Sequence, residues 1–432
     1  MHHLFLRSQK EGSRLVRHKL LAMALPDPAI SFDNTEYAFE YKSDRSLRKA
    51  RFLFSVMSYP WLVALGTRVT PWAIRAGLPI KGLLRKTLFA QFVGGETLES
   101  TKAVAASLSK YGVQVILDYG VEGKEGEDNF DRAVQEFSRV IDYAATVSSI
   151  PFMSIKVTGF ARFGLLEQLH QSMACQSGNL LDRYQSMLAQ LDPSLRAEWQ
   201  KVYDRVQHLC TRAAQQQVGI AIDAEESWIQ DPVDALSMHM MEQLNKSRPV
   251  VYNTIQLYRH DRYRFLQDCA VVAADKYILA VKLVRGAYME KERKRALEKG
   301  YASPIHANKQ AVDQDYDQAL RYCIDRIERT ALIVASHNEH SNLLATQLMQ
   351  RKGLPLHHPH IHWSQLYGMS DNITFNLSKA GASVSKYLPF GPIEDVIPYL
   401  MRRAQENTSV KGQTGRELGL IQKELDRRRH SA

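Results

Sequence analysis

The chain lacks most of the signatures that would place it quickly. Its 432 residues include only four cysteines, Cys175, Cys210, Cys269 and Cys323, which are far apart and form no CxxC pair. That sets aside a disulfide scaffold and a cysteine zinc site; the thiols read as reduced and buried, in an intracellular protein. No apolar run is long enough to span a bilayer. The nearest, Phe52 to Gly66, is broken by Ser55, Ser58 and Pro60; it reads as a packed helix, with membrane-surface docking as the alternative. Gly94-Gly95 lacks the GxGxxG spacing of a dinucleotide fingerprint, and neither a Walker loop nor a GxSxG elbow occurs. No Lys/Arg block is interleaved with aromatics, which argues against nucleic acid. The run His357-His358-Pro359-His360-Ile361-His362 is no metal site in this reading, because alternate strand residues face opposite ways.

Charge and pattern are informative. Lysine and arginine total 56 against 46 acidic residues, a formal charge of +10, which points to an anionic partner such as a membrane surface or an acidic small molecule. Residues 1–28 carry Arg7, Lys10, Arg14, Arg17 and Lys19 against Glu11 and Asp27, and are expected to be a disordered or targeting extension. Short β-branched runs then recur, each followed by a helical pattern: residues 113–117, 152–155, 218–222, 250–255, 278–281, 331–335, a weaker one at 360–363, and 382–385. Alternating strands and helices predict a parallel sheet, and eight of them predict a closed (βα)8 barrel over 111–410. A helical region at 29–110 would pack on it, residues 164–217 would hold an extra pair of helices, and 411–432 would form a basic, mostly solvated helical tail.

Each run ends in a polar group: Asp118, Lys156, Asp223, Gln256, Lys282 with Arg285, His337, Gln365 and Tyr387. Barrel enzymes build their sites from such strand ends. After the last run, Gly391-Pro392 predicts a helix start with Glu394 and Asp395 in its first turn. Ile393, Val396, Ile397, Leu400 and Ala404 form its apolar stripe, and Tyr399, Arg402, Arg403 and Glu406 share the flank. Adjacent guanidiniums repel unless an anion lies between them, and arginine is suited to gripping a carboxylate. A solvated Arg-Arg-Glu face is the plain alternative.

These residues make the chain resemble the proline dehydrogenase family. The matching segments are LDYGVEG (117–123), IKVTG (155–159), IDAEESW (222–228), IQLY (255–258), KLVRGAYMEKER (282–293), ASHN (335–338), QLYGMSDN (365–372), KYLPFG (386–391) and YLMRRAQEN (399–407). The resemblance is to the monofunctional form, since no aldehyde-dehydrogenase half follows. It implies an α/β, distorted (βα)8 TIM-type barrel whose last helix lies over the barrel mouth, with added N-terminal helices. It further implies FAD-dependent oxidation of L-proline to Δ1-pyrroline-5-carboxylate, electrons passing to a membrane quinone and the product to a separate dehydrogenase. The location would be cytoplasmic, peripheral on the inner membrane face, or alternatively mitochondrial.

Carried over residue by residue, the resemblance assigns Arg402, Arg403 and Lys156 to the proline carboxylate, with Glu406 orienting the arginines. Tyr288, Leu366 and Tyr387 would enclose the ring, and Asp223 would position Lys156 or Tyr387 by a hydrogen bond. Gln256, Lys282, Val284, the Arg285-Gly286-Ala287 backbone and Ser336-His337-Asn338 would bind FAD. Many bacterial relatives have arginine where this chain has Lys282, which keeps the charge but not the planar fork. Catalysis would thus centre on Asp223, Lys282 and Lys156. Three alternatives stay open: a 4-hydroxyproline dehydrogenase, a lyase forming a Schiff base at Lys156, and a non-enzymatic membrane-binding protein.

Overall fold

The computed structural model describes residues 30–75, 80–120, 125–409 and 413–431; the side chains of 71–75, 405–409 and 413 are not described. The chain divides into two units, Met1–Ser31 and Phe32–Ala432, and the second contains the barrel. The expectation for residues 1–28 lies outside the described residues.

Eight parallel strands close into a barrel in chain order: β1 Val113–Tyr119, β2 Phe152–Ile155, β3 Gly219–Ile222, β4 Val251–Gln256, β5 Leu279–Val284, β6 Thr330–Ala335, β7 Ile361–Leu366 and β8 Val384–Phe390. The apolar runs predict the strands because a parallel barrel covers both faces, so every position along β3 and β4 is buried. Two strands run further than their apolar pattern. β5 continues to Val284 and β8 to Phe390, so Lys282 and Tyr387 lie within strands rather than beyond them. The seven-residue ladder between β1 and β8 carries β8 onward, from Val113↔Val384 to Tyr119↔Phe390. Pairing with β7 stops at Tyr387, so Pro389 lies where only one neighbour remains and its missing N–H is tolerated.

The β2–β3 connection holds three helices, Phe163–Ala174, Leu180–Gln190 and Pro193–Gln215. Their starts are locally encoded: Asn179 and Asp182 form a capping box, and Asp192 caps a helix with Pro193 in its first turn. Before the barrel lie the helices Thr35–Phe39, Asp44–Met57 and Pro60–Arg75, and Leu98–Ser109 leads into β1. The Phe52–Gly66 run is therefore not one helix but the corner between two, bent by 92°. Among the described residues no single helix is long and apolar enough to cross a membrane.

Beyond β8 the helix Ile393–Ser409 forms a roof. It crosses the mouth: Arg402 lies 6.0 Å from the Tyr288 ring after β5, and a Cβ on Gly120, just past β1, would meet Val396 at 2.8 Å. The tail helix Gln413–Ser431 overturns the expectation of a solvated tail. Leu420, Ile421 and Leu425 are buried in a cluster with Phe39, Leu47 and Phe54 of the N-terminal helices and Val396 and Leu400 of the roof. Arg427 and Arg428 pair with the buried Glu424, and Arg428 also with Asp44. One thiol also departs from expectation: Cys175 is exposed, at the end of its helix, while the other three are buried.

Candidate active site

The mouth of the barrel is organised around one carboxylate. Asp223 follows β3, its N–H donating to Ile155 O at 2.8 Å. One of its oxygens pairs with Lys282 of β5, and the other accepts from the Tyr387 hydroxyl of β8 at 2.8 Å. None of these three strands neighbours another. The Lys282 ammonium also lies 5.1 Å from the centre of the Tyr387 ring. Burial would raise the Asp223 carboxyl, but the ammonium groups of Lys282 and Lys156 outweigh it and hold it below its ordinary value. Lys156, after β2, is half-buried, 3.6 Å from Asp118 of β1 and 3.9 Å from Asp223. Of the two partners expected for Asp223, Tyr387 is the direct one. The pairing with Lys282 has no sequence signal, because it joins positions 223 and 282 across a closed barrel.

Tyr288 stands at the rim, where Arg402 of the roof and Lys156 of the floor both act on it; burial pushes its phenol far up. Arg403 is buried with its guanidinium 5.0 Å from the Tyr399 ring, and Leu366 at the end of β7 packs on the apolar cluster beneath the roof. The roof therefore brings both arginines to the barrel ends. The Glu406 side chain lies outside those described.

Along the β4–β6 side, the backbone after β5 is anchored by Arg285. Its guanidinium donates to Asp313, to Ser336 Oγ at 2.7 Å and to Ser341 Oγ at 3.0 Å. Gly286 has φ +130°, and a Cβ there would lie 2.5 Å from the Tyr258 ring, so only glycine fits. Gly286 and Ala287 are exposed, so bare backbone next to Val284 faces outward. Gln256 is buried and donates to Glu225 O at 2.7 Å. Asn338 caps the helix Glu339–Arg351, and Ser336 Oγ accepts from its N–H at 3.1 Å. His337 shares a hydrogen bond of 2.9 Å with Ser370 Oγ through Nδ1, and burial, helped by Lys386, Arg403 and Arg285, drives its pKa down to about 3. A rim of side-chain-free backbone, a neutral imidazole, a buried amide and a buried cation form a donor set suited to a large cofactor with polar edges and an aromatic body.

One residue of this region escaped the sequence reading. Glu225 is buried with Thr158 Oγ1 donating to it, and burial foremost pushes its carboxyl up to about 7. The adjacent acids of IDAEESW were its only signal. Gln365, in contrast, is spent internally, on Ser336 O at 3.2 Å and Thr374 at 2.8 Å.

A family model described as proline dehydrogenase matches residues 101–416. The carbapenem antibiotics biosynthesis protein CarD of Pectobacterium carotovorum subsp. carotovorum is 34% identical, over 81% of this chain and 86% of its own. The hydroxyproline dehydrogenase of Xenopus laevis is 30% identical, over 95% of this chain and 93% of its own. Among solved structures, proline utilization A from Bdellovibrio bacteriovorus, inactivated by N-propargylglycine, has the same fold, with a TM-score of 0.66 at 18% identity. The match takes in 90% of this chain but only 40% of that larger one.

Proposed function

The chain belongs to the proline dehydrogenase family, and on that premise we propose that it oxidises L-proline to Δ1-pyrroline-5-carboxylate, with FAD as cofactor and a membrane quinone as final acceptor. The observation that carries the reading is the meeting of Asp223, Lys282 and Tyr387 beneath a roof bearing two arginines. Proline has a carboxylate at one end and an apolar ring at the other, and the mouth offers cations above and aromatic walls beside them. Arg402, Arg403 and Lys156 take the carboxylate, with Glu406 steadying the arginines. Tyr288, Leu366 and Tyr387 wall the ring. Asp223 fixes the Tyr387 phenol by accepting its hydrogen bond and holds Lys282 in place through the ion pair.

Gln256, Lys282, Val284, the backbone of Arg285, Gly286 and Ala287, and Ser336, His337 and Asn338 would hold FAD. The flavin supplies the two-electron acceptor that no side chain offers. Lys282 contributes a buried positive charge that favours a group gaining electrons, and neutral His337 contributes hydrogen bonding without charge. The product leaves for a separate pyrroline-5-carboxylate dehydrogenase.

Purified protein is expected to be yellow, with flavin bands that bleach on adding L-proline, and NAD is not expected to replace the acceptor. A folded, colourless protein that cannot be reconstituted with FAD overturns the reading. One observation favours a second substrate, trans-4-hydroxy-L-proline: the likeness to a hydroxyproline dehydrogenase over nearly the whole chain. Tyr387 is the residue on which the choice turns.

A further inference from the structure

Between Arg45 and Gly95 the sequence holds nine lysines and arginines and no aspartate or glutamate, in a chain whose whole formal charge is +10. The whole of this segment precedes the family match, which begins at residue 101. Its first part folds into the bent pair Asp44–Met57 and Pro60–Arg75, and beyond the pair Lys81 and Arg85 are matched by Glu394 and Glu96. The inner face of the pair is ordinary core, with Leu47, Phe54, Met57 and Val63 buried. The outer face is not an ordinary surface. Phe52 is 68% exposed, Tyr59 55%, Trp61 65% and Leu65 54%, and Val69 is exposed too. Trp61, Leu65 and Val69 stand four residues apart and so form one apolar stripe along the outside of the second helix. Arg45, Arg48, Lys49 and Arg68 are exposed beside it, with no ion pair among the described residues.

We propose that this acid-free corner is a docking surface for an anionic lipid bilayer, lying in the headgroup region with Trp61, Phe52 and Leu65 inserted. The sharp bend and the packed inner face argue against a spanning arrangement, and an exposed apolar stripe flanked by unpaired cations is what an interfacial helix requires. A second copy of the chain is disfavoured as occupant, because a symmetric contact would bring Arg45, Arg48, Lys49 and Arg68 of two copies together. The tail helix is the poorer candidate, since Arg427 and Arg428 are already neutralised internally. The second helix of the pair packs on the roof helix, so the docked face lies one helix away from the barrel mouth. The proposal deepens the quinone reading by naming where the membrane would meet the enzyme.

The test uses the full chain and sedimentation with phosphatidylcholine vesicles, with and without phosphatidylglycerol. The wild type should sediment with the anionic vesicles and lose binding as salt rises. Arg48→Gln with Lys49→Gln should weaken that binding on the order of tenfold. Phe52→Ser with Trp61→Ser should abolish it, while proline-driven reduction of a water-soluble dye stays unchanged. If the apolar variant loses dye activity through misfolding, the charge variant decides alone. Wild type left in the supernatant, or variants that sediment like it, overturns the proposal. So does a concentration-dependent dimer without lipid that the apolar variant abolishes. Vesicle binding without any bleaching by proline would instead overturn the functional reading and leave the surface standing.

Discussion

Two buried lysine–aspartate pairs sit in this barrel, and they do different things. Lys282 and Asp223 meet at the mouth, where the second oxygen of Asp223 is given to Tyr387 and Lys156 stands 3.9 Å away at a half-open edge. Lys386 and Asp371 meet at 2.8 Å where the N-terminal helices of the second unit and the tail helix dock on the barrel. Lys386 is fully buried and also donates to Met369 O at 2.6 Å. Asp371 takes Lys42 and the Tyr41 hydroxyl from the N-terminal region, each at 2.8 Å. Ser370, next door, donates its N–H to Glu417 of the tail helix. The chemistry of the pairs is the same, and the surroundings decide the role: the first faces the barrel mouth beside Lys156, and the second is closed on every side by its own chain.

The largest expected effect separates them directly. Asp371→Ala strands a fully buried ammonium and should cost about 3–5 kcal/mol of stability in denaturant unfolding, with turnover per folded molecule retained. Asp223→Ala should instead abolish most turnover in protein that still folds. A stable Asp371→Ala variant would dissolve the contrast.

Arg402→Ala and Arg403→Ala should each raise KM for proline, by about 2–5 kcal/mol in binding, with cofactor content unchanged. A near-normal KM for either variant removes that arginine from the carboxylate clamp.

The docked termini also set a pH dependence. Burial foremost, then Asp371, pushes Glu417 from 4.5 up to about 7, so the folded state holds its proton more tightly than the unfolded chain. The associated stability is complete below about pH 4.5 and is lost as pH rises through about 7, on the order of 3 kcal/mol over that window. Glu225 behaves alike and shares the window. Glu417→Gln should therefore remove a decline of about 3 kcal/mol from unfolding titrations between pH 4.5 and 7, a window in which the buried His337 and His362, with pKa values lowered to about 3, contribute in the opposite sense. An unchanged slope would show that Glu417 is ionised in the folded protein.

The smallest effect concerns selectivity. The Tyr387 phenol, held by Asp223, would occupy the space a 4-hydroxyl needs, which should favour L-proline over trans-4-hydroxy-L-proline by roughly 1–3 kcal/mol in kcat/KM. Tyr387→Ser should narrow that gap, mainly by lowering proline activity. An unchanged ratio takes Tyr387 out of the substrate site and reopens hydroxyproline as the natural substrate.

Much of the molecule was readable from local pattern. The barrel strands announce themselves because burial on both faces demands apolar runs, and that demand acts residue by residue. The roof helix was visible in its Gly391-Pro392 start and its buried stripe. Pattern misled wherever a helix owes its face to a distant partner: the tail Gln413–Ser431 looks solvated until the N-terminal helices cover Leu420, Ile421 and Leu425.

By itself the sequence determined the barrel, its strand-end chemistry and the family, because periodicity, caps and motifs are properties of neighbouring residues. The tertiary structure decided which lysine meets which aspartate. It also decided that one basic helix is neutralised while Arg45, Arg48, Lys49 and Arg68 of the bent pair stay exposed. Tyr387 and Asp223 are 164 residues apart, and Arg428 and Asp44 are 384. Contacts over such separations exist only once closure of the barrel and packing of the tail helix on the helices before the barrel bring the groups together, so no local pattern records them.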